Sequence, residues 1–113
     1  MNPSGLDTLA SILDTASLRH RVISQNVANV NTPGYRRLAV AFANDLTKAV
    51  GTPGGPPPKA RVVVEDGPER VDGNTVDIDR EMNDLTKNSL LYQAAAQIVT
   101  NRIGLLRAAI TGR

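Results

Sequence analysis

The sequence has no cysteine and no tryptophan, and its aromatic residues are one phenylalanine and two tyrosines. Without cysteine, disulfide bonds and thiolate metal sites are excluded. A nucleic-acid-binding protein would normally present a clustered basic face with aromatic side chains for base stacking. Here the formal net charge is +2, and the arginines are dispersed along the chain. We therefore predict no nucleic-acid partner.

Long apolar runs and catalytic clusters are missing as well. No segment is long and apolar enough to cross a membrane, and the stretch Leu90–Val99 is interrupted by Gln93 and Gln97. The start of the sequence has no basic segment ahead of an apolar run, so we expect no cleavable secretory signal. Because no nucleophile–base pair or metal-ligand cluster can be recognised, we predict that the chain is not an enzyme and binds no cofactor or metal.

The chain does contain a heptad pattern near its start. Positions spaced alternately by three and four residues predict a long helix from about Ser4 to Asn31, with Pro3 suited to its first turn. We interpret His20, the exception in this apolar pattern, as a packed or edge residue, because one histidine cannot form a metal site alone. The pattern comprises Leu6, Leu9, Leu13, Ala16, His20, Ile23, Val27 and Val30.

A second heptad pattern occupies the end of the chain. Asp77, Asp79 and Glu81 place negative charge at the start of a helix that we predict within residues 76–113. A calcium loop is not predicted there, because Val76 stands where an oxygen ligand would be required. The apolar stripe should pack on the first helix as an antiparallel coiled coil. It comprises Ile78, Met82, Leu85, Ser89, Tyr92, Ala96, Val99, Ile103, Leu106 and Ile110.

The middle of the chain is short and weakly hydrophobic. Residues 36–50 have apolar positions at helical spacing, which predicts a short helix. The stretch Gly51–Pro58 contains four prolines and three glycines, and this composition is typical of a linker. The β-prone run 61–65 and the turn signals after it allow a small hairpin between Ala60 and Val76.

The overall prediction is one mainly α-helical domain over residues 1–113, with the antiparallel coiled coil as its core. The C-terminal helix has more apolar positions than one seam can bury, and two helices with few aromatic residues offer little further burial. We therefore expect surrounding copies of the same or similar chains to cover them. The predicted segments are the first core helix with its turn, the short helix, the linker with its hairpin, and the last core helix, at 1–35, 36–50, 51–75 and 76–113.

The most specific stretch is Ser24–Arg37, where the first helix ends. Pro33 and Gly34 predict a type II turn in which Gly34 supplies the positive φ. Amide side chains precede this turn, and buried amides are costly unless they find hydrogen-bond partners. We therefore interpret the motif as a contact with neighbouring subunits, and expect Arg36 and Arg37 to be solvated or paired between subunits. The motif comprises Asn26, Ala28, Asn29, Asn31, Thr32, Pro33, Gly34 and Tyr35.

These residues resemble the flagellar basal-body rod protein family of bacteria. A second segment, Gly73–Met82 followed by Asn88–Gln93, is similar to the proximal rod members of that family. The resemblance covers roughly residues 1–50 and 73–113, and the residues between carry no family signal. The shared signature is Ser24-x-Asn26-x-Ala28-Asn29-x-Asn31-Thr32-Pro33-Gly34-Tyr35.

The resemblance implies a structural subunit of the rod, in the periplasmic section of the flagellar basal body. Such subunits travel unfolded through the flagellar type III export apparatus, and their terminal helices form the core of a helical tube that transmits torque. The implied partners are further copies of the chain, other rod subunits, the adaptor protein between the MS ring and the rod, and the export apparatus. The chain would be peripheral to the membrane rings rather than inserted in a membrane.

The residues alone leave one alternative of another class. A soluble helical adaptor or chaperone that binds an amphipathic helix of a partner would also carry an exposed apolar stripe. That class does not explain the Asn/Thr-Pro-Gly-Tyr signature.

Overall fold

The computed structural model describes residues 3–42, 46–47, 51 and 59–112. The molecule is elongated, with principal extents of 63 × 28 × 14 Å. Within the described ranges, no helix combines the length and the apolar character needed to span a bilayer.

Two long helices and a small sheet form the described fold. Helix α1 spans Pro3–Ala28 and helix α2 spans Ile78–Thr111. Strands β1 (Leu38–Ala41) and β2 (Arg61–Val64) pair antiparallel as a two-stranded sheet between them. The prediction of a mainly α fold with long terminal helices is confirmed.

The two helices run antiparallel, as predicted. Near the middle of α1, the Asn88 side chain donates a hydrogen bond to the Ala16 carbonyl over 2.8 Å. Near the end of α1, the Asn26 side chain lies 3.3 Å from both carboxylate oxygens of Glu81. The residue number therefore falls along α2 as it rises along α1. Ala16 and Ile23 of the predicted α1 stripe are buried, whereas His20 is exposed.

The face of α2 that packs inside the chain differs from the predicted stripe. The buried residues of α2 are Glu81, Asn88 and Ala95, seven residues apart and one position before three members of that stripe. Leu85, Val99 and Leu106 are half-buried. The prediction counted apolar residues alone, whereas Glu81 accepts a hydrogen bond from Asn26 of α1 and Asn88 donates one to α1, so a partly polar face of α2 packs on α1. The stripe members left exposed are Ile78, Met82, Ser89, Tyr92, Ile103 and Ile110.

The ends of α2 follow from local capping. The Asp77 carboxylate accepts hydrogen bonds from the backbone amides of Asp79 and Arg80, at 3.0 and 3.4 Å. This satisfies two of the amides that a helix start leaves unpaired. At the other end Gly112 adopts a left-handed conformation with φ 71°, which terminates the helix.

The prediction of a helix over residues 36–50 was wrong for residues 38–41, which form β1. These residues extend because Asn26 and β2 satisfy their backbone groups from either side. Leu46 and Thr47 are helical. The rest of that predicted helix from residue 43 onward, and all but Gly51 of the predicted linker Gly51–Pro58, lie outside the described residues.

The β-prone run is confirmed as β2, but its partner is not the one predicted. The hairpin was expected between residues 60 and 76, and β2 instead pairs with β1. Residues 65–76 form no strand. Their backbone groups bind the turn that follows α1 instead, through the Asp72 carbonyl and the Thr75 amide.

Candidate functional site

The candidate site is the corner that follows α1. The Tyr35 amide donates to the Thr32 carbonyl over 3.2 Å, and Gly34 has a φ of 74°. The turn predicted from Pro33 and Gly34 is therefore confirmed. A Cβ atom at Gly34 would meet nothing within 4 Å, so the demand for glycine here is conformational rather than steric.

The corner is docked on residues 65–76, which we call the return segment. The Gly34 amide donates to the Asp72 carbonyl over 2.8 Å, and the Thr75 amide donates to the Tyr35 carbonyl over 3.1 Å. The Arg37 amide donates to the Thr75 hydroxyl over 2.7 Å. The turn and the return segment thus hold each other through the backbone, and the corner is a defined joint within one chain.

Asn74 ties this joint to the end of α1. Its side chain is fully buried, and its amide nitrogen donates to the carbonyls of Asn29, Val30 and Thr32 at 2.9, 3.2 and 2.7 Å. Its side-chain oxygen accepts from the Val76 amide over 2.7 Å. The carbonyls at a helix C-terminus lack partners within the helix. Asn74 therefore holds the turns that follow α1 from more than forty positions away along the chain.

Asn26 performs a related task for the sheet. Its side chain is 0% exposed, accepts from the Leu38 amide over 3.0 Å and donates to the Leu38 carbonyl over 2.8 Å. One side-chain amide thus replaces a neighbouring strand at the outer edge of β1. The Tyr35 hydroxyl also lies 3.3 Å from the Asn26 side-chain oxygen. The predicted amide is therefore satisfied within its own chain.

A buried charge cluster completes the site around Arg37, which is 6% exposed. Its Nε donates to the fully buried Glu81 carboxylate, its Nη1 lies 2.5 Å from Glu65, and its Nη2 lies 2.9 Å from Asp84. Arg80 approaches the other oxygen of Glu65 at 2.7 Å. Two guanidinium groups thus face three carboxylates, so the burial of Glu81 and Arg37 is compensated by paired charge.

Two pKa shifts reflect this surrounding. Burial, and secondly the charge of Glu81, raise the pKa of the Tyr35 hydroxyl above its ordinary value. The hydrogen bond to Glu65 raises the pKa of the Arg80 guanidinium, with burial opposing and nearby carboxylates adding to the shift. With these raised pKa values the Tyr35 hydroxyl stays neutral and the Arg80 guanidinium stays charged, as their hydrogen bonds require.

The structure separates the predicted motif into an inner and an outer part. Asn26 is buried and Tyr35 half-buried, and both face the charge cluster. Asn29 is half-buried and donates to the Gln25 carbonyl over 2.8 Å. The exposed outer part comprises Ala28, Asn31, Thr32, Pro33 and Gly34. Contacts of these residues with a neighbouring subunit stay a prediction.

The prediction that Arg36 and Arg37 are solvated or paired between subunits was wrong for Arg37. That side chain is buried and paired inside the chain, and Arg36 pairs with Glu69 at 2.5 Å on the surface. Sequence spacing could not show this, because the carboxylates that bind Arg37 lie 28 to 47 positions away. The signal that could have found them is the acidic start of α2, which was interpreted as helix-end charge alone.

The site offers no recognisable catalytic or metal chemistry. In the part of the chain that the structure describes, no three side chains among His, Asp and Glu come together in a way that could hold a metal ion. The arrangement connects α1, β1, the return segment and α2 through hydrogen bonds and ion pairs where the chain leaves α1.

Comparison with known proteins points in one direction. Residues 6–36 match a family model described as "Flagella basal body rod protein". The chain is 32% identical over 113 residues to the "Flagellar basal body rod protein FlgB" of Escherichia coli (strain K12), covering 80% of this chain and 81% of that protein. The protein of the same name from Aeromonas hydrophila is 31% identical over 112 residues, covering 85% of each chain. That from Bacillus subtilis (strain 168) is 28% identical over 120 residues, covering 95% of this chain and 93% of that protein.

Proposed function

The chain belongs to the flagellar basal body rod protein FlgB family, and from this premise we propose that it is a proximal rod subunit that polymerises helically through its terminal helices and transmits torque. It is a structural component of the flagellar basal body, and membership of a non-enzymatic family confirms the prediction that it is not an enzyme. Three parts of the proposal go beyond family membership: the location in the periplasmic section of the rod, the order of subunits, and the helical assembly.

The observation that carries the proposal is the exposed apolar surface of α2. Leu105 and Ile110 are 71% and 84% exposed, and further large apolar side chains follow along the same helix. Exposed large apolar side chains occur along almost the whole described length of α2, and exposed apolar surface of this extent marks an interaction surface. In a tube, the helices of neighbouring subunits would cover them. The other exposed members are Ile78, Met82, Leu90, Leu91, Tyr92, Ile98 and Ile103.

The corner has a different part in the proposal. Because its amides and Arg37 are satisfied within the chain, it sets the shape of the subunit before any neighbour arrives. A joint that is fixed by buried hydrogen bonds and ion pairs resists bending, which suits a rod under torsion. The exposed outer residues of the motif, such as Asn31 and Pro33, remain available for a contact with an adjacent subunit.

The small core supports passage of an unfolded chain through the export apparatus. Among the described residues, the buried hydrophobic side chains are few and mostly small, so we expect the isolated fold to be marginally stable. A chain with a small unfolding free energy is opened at low cost and regains its contacts on assembly. The proposed partners are the export apparatus, further copies, other rod subunits and the adaptor protein between the MS ring and the rod. The buried set is Ala16, Val22, Ile23, Phe42, Val76 and Ala95.

The decisive experiment places a charge on the exposed apolar surface. Leu105→Asp, expressed in place of the normal chain in its own bacterium, should abolish swimming and leave basal bodies without a complete rod. The purified variant should keep the far-ultraviolet circular dichroism of the unaltered chain, because Leu105 is largely exposed in the single chain.

The matched control is Gln93→Asp, which adds the same charge at an exposed polar position of the same helix. This variant should assemble and swim. Complete basal bodies in Leu105→Asp would contradict the proposal, and stable dimers of the normal chain that never enter basal bodies would favour the adaptor alternative.

A further inference from the structure

The return segment contains two Asp–Gly pairs, Asp66–Gly67 and Asp72–Gly73. An aspartate followed by glycine isomerises without an enzyme, because glycine has no Cβ to shield its backbone nitrogen from the neighbouring carboxyl group. The reaction needs a free glycine amide and a carboxyl group that can rotate onto it. Since the dipeptide is the same at both positions, the surroundings of each pair in the fold decide which of them reacts.

Hydrogen bonds hold the reacting groups of Asp72 and Gly73. The Gly73 amide donates to the Arg70 carbonyl over 2.9 Å, and the Asp72 side-chain oxygen accepts from the Asn74 amide over 3.0 Å. The Asp72 carbonyl accepts from the Gly34 amide over 2.8 Å. A reaction between the Gly73 nitrogen and the Asp72 carboxyl group would break the first two of these hydrogen bonds and displace the third.

Asp66 and Gly67 have none of these restraints. Both residues are exposed, and a Cβ atom at Gly67 would meet nothing within 4 Å. Among the described residues, no hydrogen bond or ion pair involves the Gly67 amide or the Asp66 carboxylate. The nearest backbone amides with hydrogen-bond partners are those of Glu65 on one side and Arg70 on the other. The pair therefore lies in an unrestrained stretch between two anchored positions.

We propose that Asp66 isomerises spontaneously to isoaspartate in the folded protein, and that the fold protects Asp72 from the same reaction. The Gly67 nitrogen attacks the side-chain carboxyl carbon of Asp66 and forms a C–N bond. The nitrogen loses its proton and the carboxyl group loses its hydroxyl, which leave together as water. Water then opens the five-membered succinimide at either of its two carbonyl carbons. One opening restores aspartate, and the other gives isoaspartate, in which the main chain runs through the former side chain.

The reaction consumes one water molecule for each one it releases, so it needs no oxidant, reductant or other co-reactant. Isomerisation adds one carbon atom to the main chain and leaves one carboxylate, so the net charge of the chain is unchanged. Because Asp66 and Gly67 make no contact that the corner uses, we expect the isomerised chain to keep its fold. The experiments below use the purified full-length chain, so their outcome is independent of whether the chain enters basal bodies.

The first test follows both pairs in one sample, because trypsin cleaves after arginine and separates them. Asp66 falls in the peptide 62–70 and Asp72 in the peptide 71–80. The folded chain is incubated at neutral pH, and an isoaspartyl methyltransferase with a labelled methyl donor then marks isoaspartate in each peptide. We expect isoaspartate to accumulate about tenfold faster in 62–70, because local opening must precede the reaction at Asp72. Equal rates in the folded chain would overturn the proposal.

A second measurement separates the effect of the fold from that of the local sequence. In concentrated urea the hydrogen bonds around Asp72 and Gly73 are lost, so the two rates should approach each other. A preference for the peptide 62–70 that persists undiminished in urea would come from neighbouring residues such as Pro68, and would refute protection by the fold.

The matched variant is Asp66→Glu, which keeps the charge but would have to close a six-membered ring, a much slower reaction. The isoaspartate signal of the peptide 62–70 should disappear in this variant, while its circular dichroism and the signal of the peptide 71–80 stay unchanged. A signal that remains in 62–70 would refute the assignment to Asp66.

Discussion

The two ends of the α1–α2 pair are held by different interactions. At the corner end, Asn26, Arg37 and Glu81 are buried and bond to one another or to a shared partner. At the far end, Leu105 and Ile110 of α2 are largely exposed. The corner end is thus completed by residues of the same chain, whereas the far end presents apolar surface that the chain itself does not cover.

This difference assigns separate tasks to the two ends. Hydrogen bonds and ion pairs are directional, so they fix a particular geometry at the corner. Apolar burial is non-directional and grows with the area removed from water, so it suits a surface that several neighbours can share. We therefore expect changes at the corner to lower the stability of the single chain, and changes at the far end to impair assembly while the single chain remains folded.

The largest effect on stability is expected for Glu81→Gln. The substitution removes the fully buried carboxylate that Arg37 binds, while Glu65 and Asp84 still face the guanidinium. Because part of the charge stays compensated, we expect a loss of up to about 3 kcal/mol, the lower end of the cost of breaking a buried ion pair from one side. Urea unfolding of the purified chain, followed by circular dichroism, measures the loss. The control is Glu69→Gln, which breaks the half-exposed pair with Arg36 and should cost about 0–1 kcal/mol. Equal losses in the two variants would mean that the corner cluster does not hold the fold.

An intermediate effect is expected for Gly34→Val. The positive φ of Gly34 costs a residue with a Cβ roughly 1–2 kcal/mol, and a β-branched side chain accommodates it poorly. The turn should shift, expression should remain normal, and rod assembly should fail. Gly67→Val is the control, because Gly67 is not among the positive-φ glycines and a Cβ there meets nothing within 4 Å. Normal swimming of the Gly34→Val strain would show that the rod assembles with a different conformation of this turn.

The same comparison explains what the sequence could predict. The two long helices and the Pro33–Gly34 turn follow from local rules, namely apolar spacing, capping and backbone preference, and these predictions were confirmed. The burial of Glu81 and Arg37 follows from contacts between residues 44 positions apart; the acidic start of α2 signals negative charge there, but the local sequence does not say which residue pairs with it. Apolar spacing also placed part of the seam of α2 one position beyond the buried residues Glu81, Asn88 and Ala95, because two of these three are polar.

In the middle of the chain, too, local sequence patterns did not predict the structure. Residues 38–41 have the spacing of a helix, yet they extend because Asn26 and β2 supply partners for an extended backbone. The amides before the turn were correctly expected to need hydrogen-bond partners. Asn26 finds its partners in β1 and at the start of α2, and the path of the chain that brings these elements beside it is fixed by no local pattern.

The smallest effect concerns Tyr35. Burial, and secondly the charge of Glu81, raise the pKa of its hydroxyl above the ordinary value of about 10. In Tyr92→Phe, Tyr35 is the remaining tyrosine, and the 295 nm absorbance of its phenolate should rise only above that pH.

The sign of the linked change in stability follows from the direction of this shift. A raised pKa in the folded state stabilises the fold fully below the unfolded value, and this contribution is lost as the pH rises through the folded value. Urea unfolding of Tyr92→Phe should therefore show constant stability from this group up to about pH 10 and a decline above it. Adding Glu81→Gln removes one cause of the shift, so the phenolate should appear at lower pH. An unchanged titration in that double variant would mean that the buried charge cluster around Arg37 does not act on the Tyr35 hydroxyl. The hydrogen bonds of the cluster would then reach Asn26 but not Tyr35.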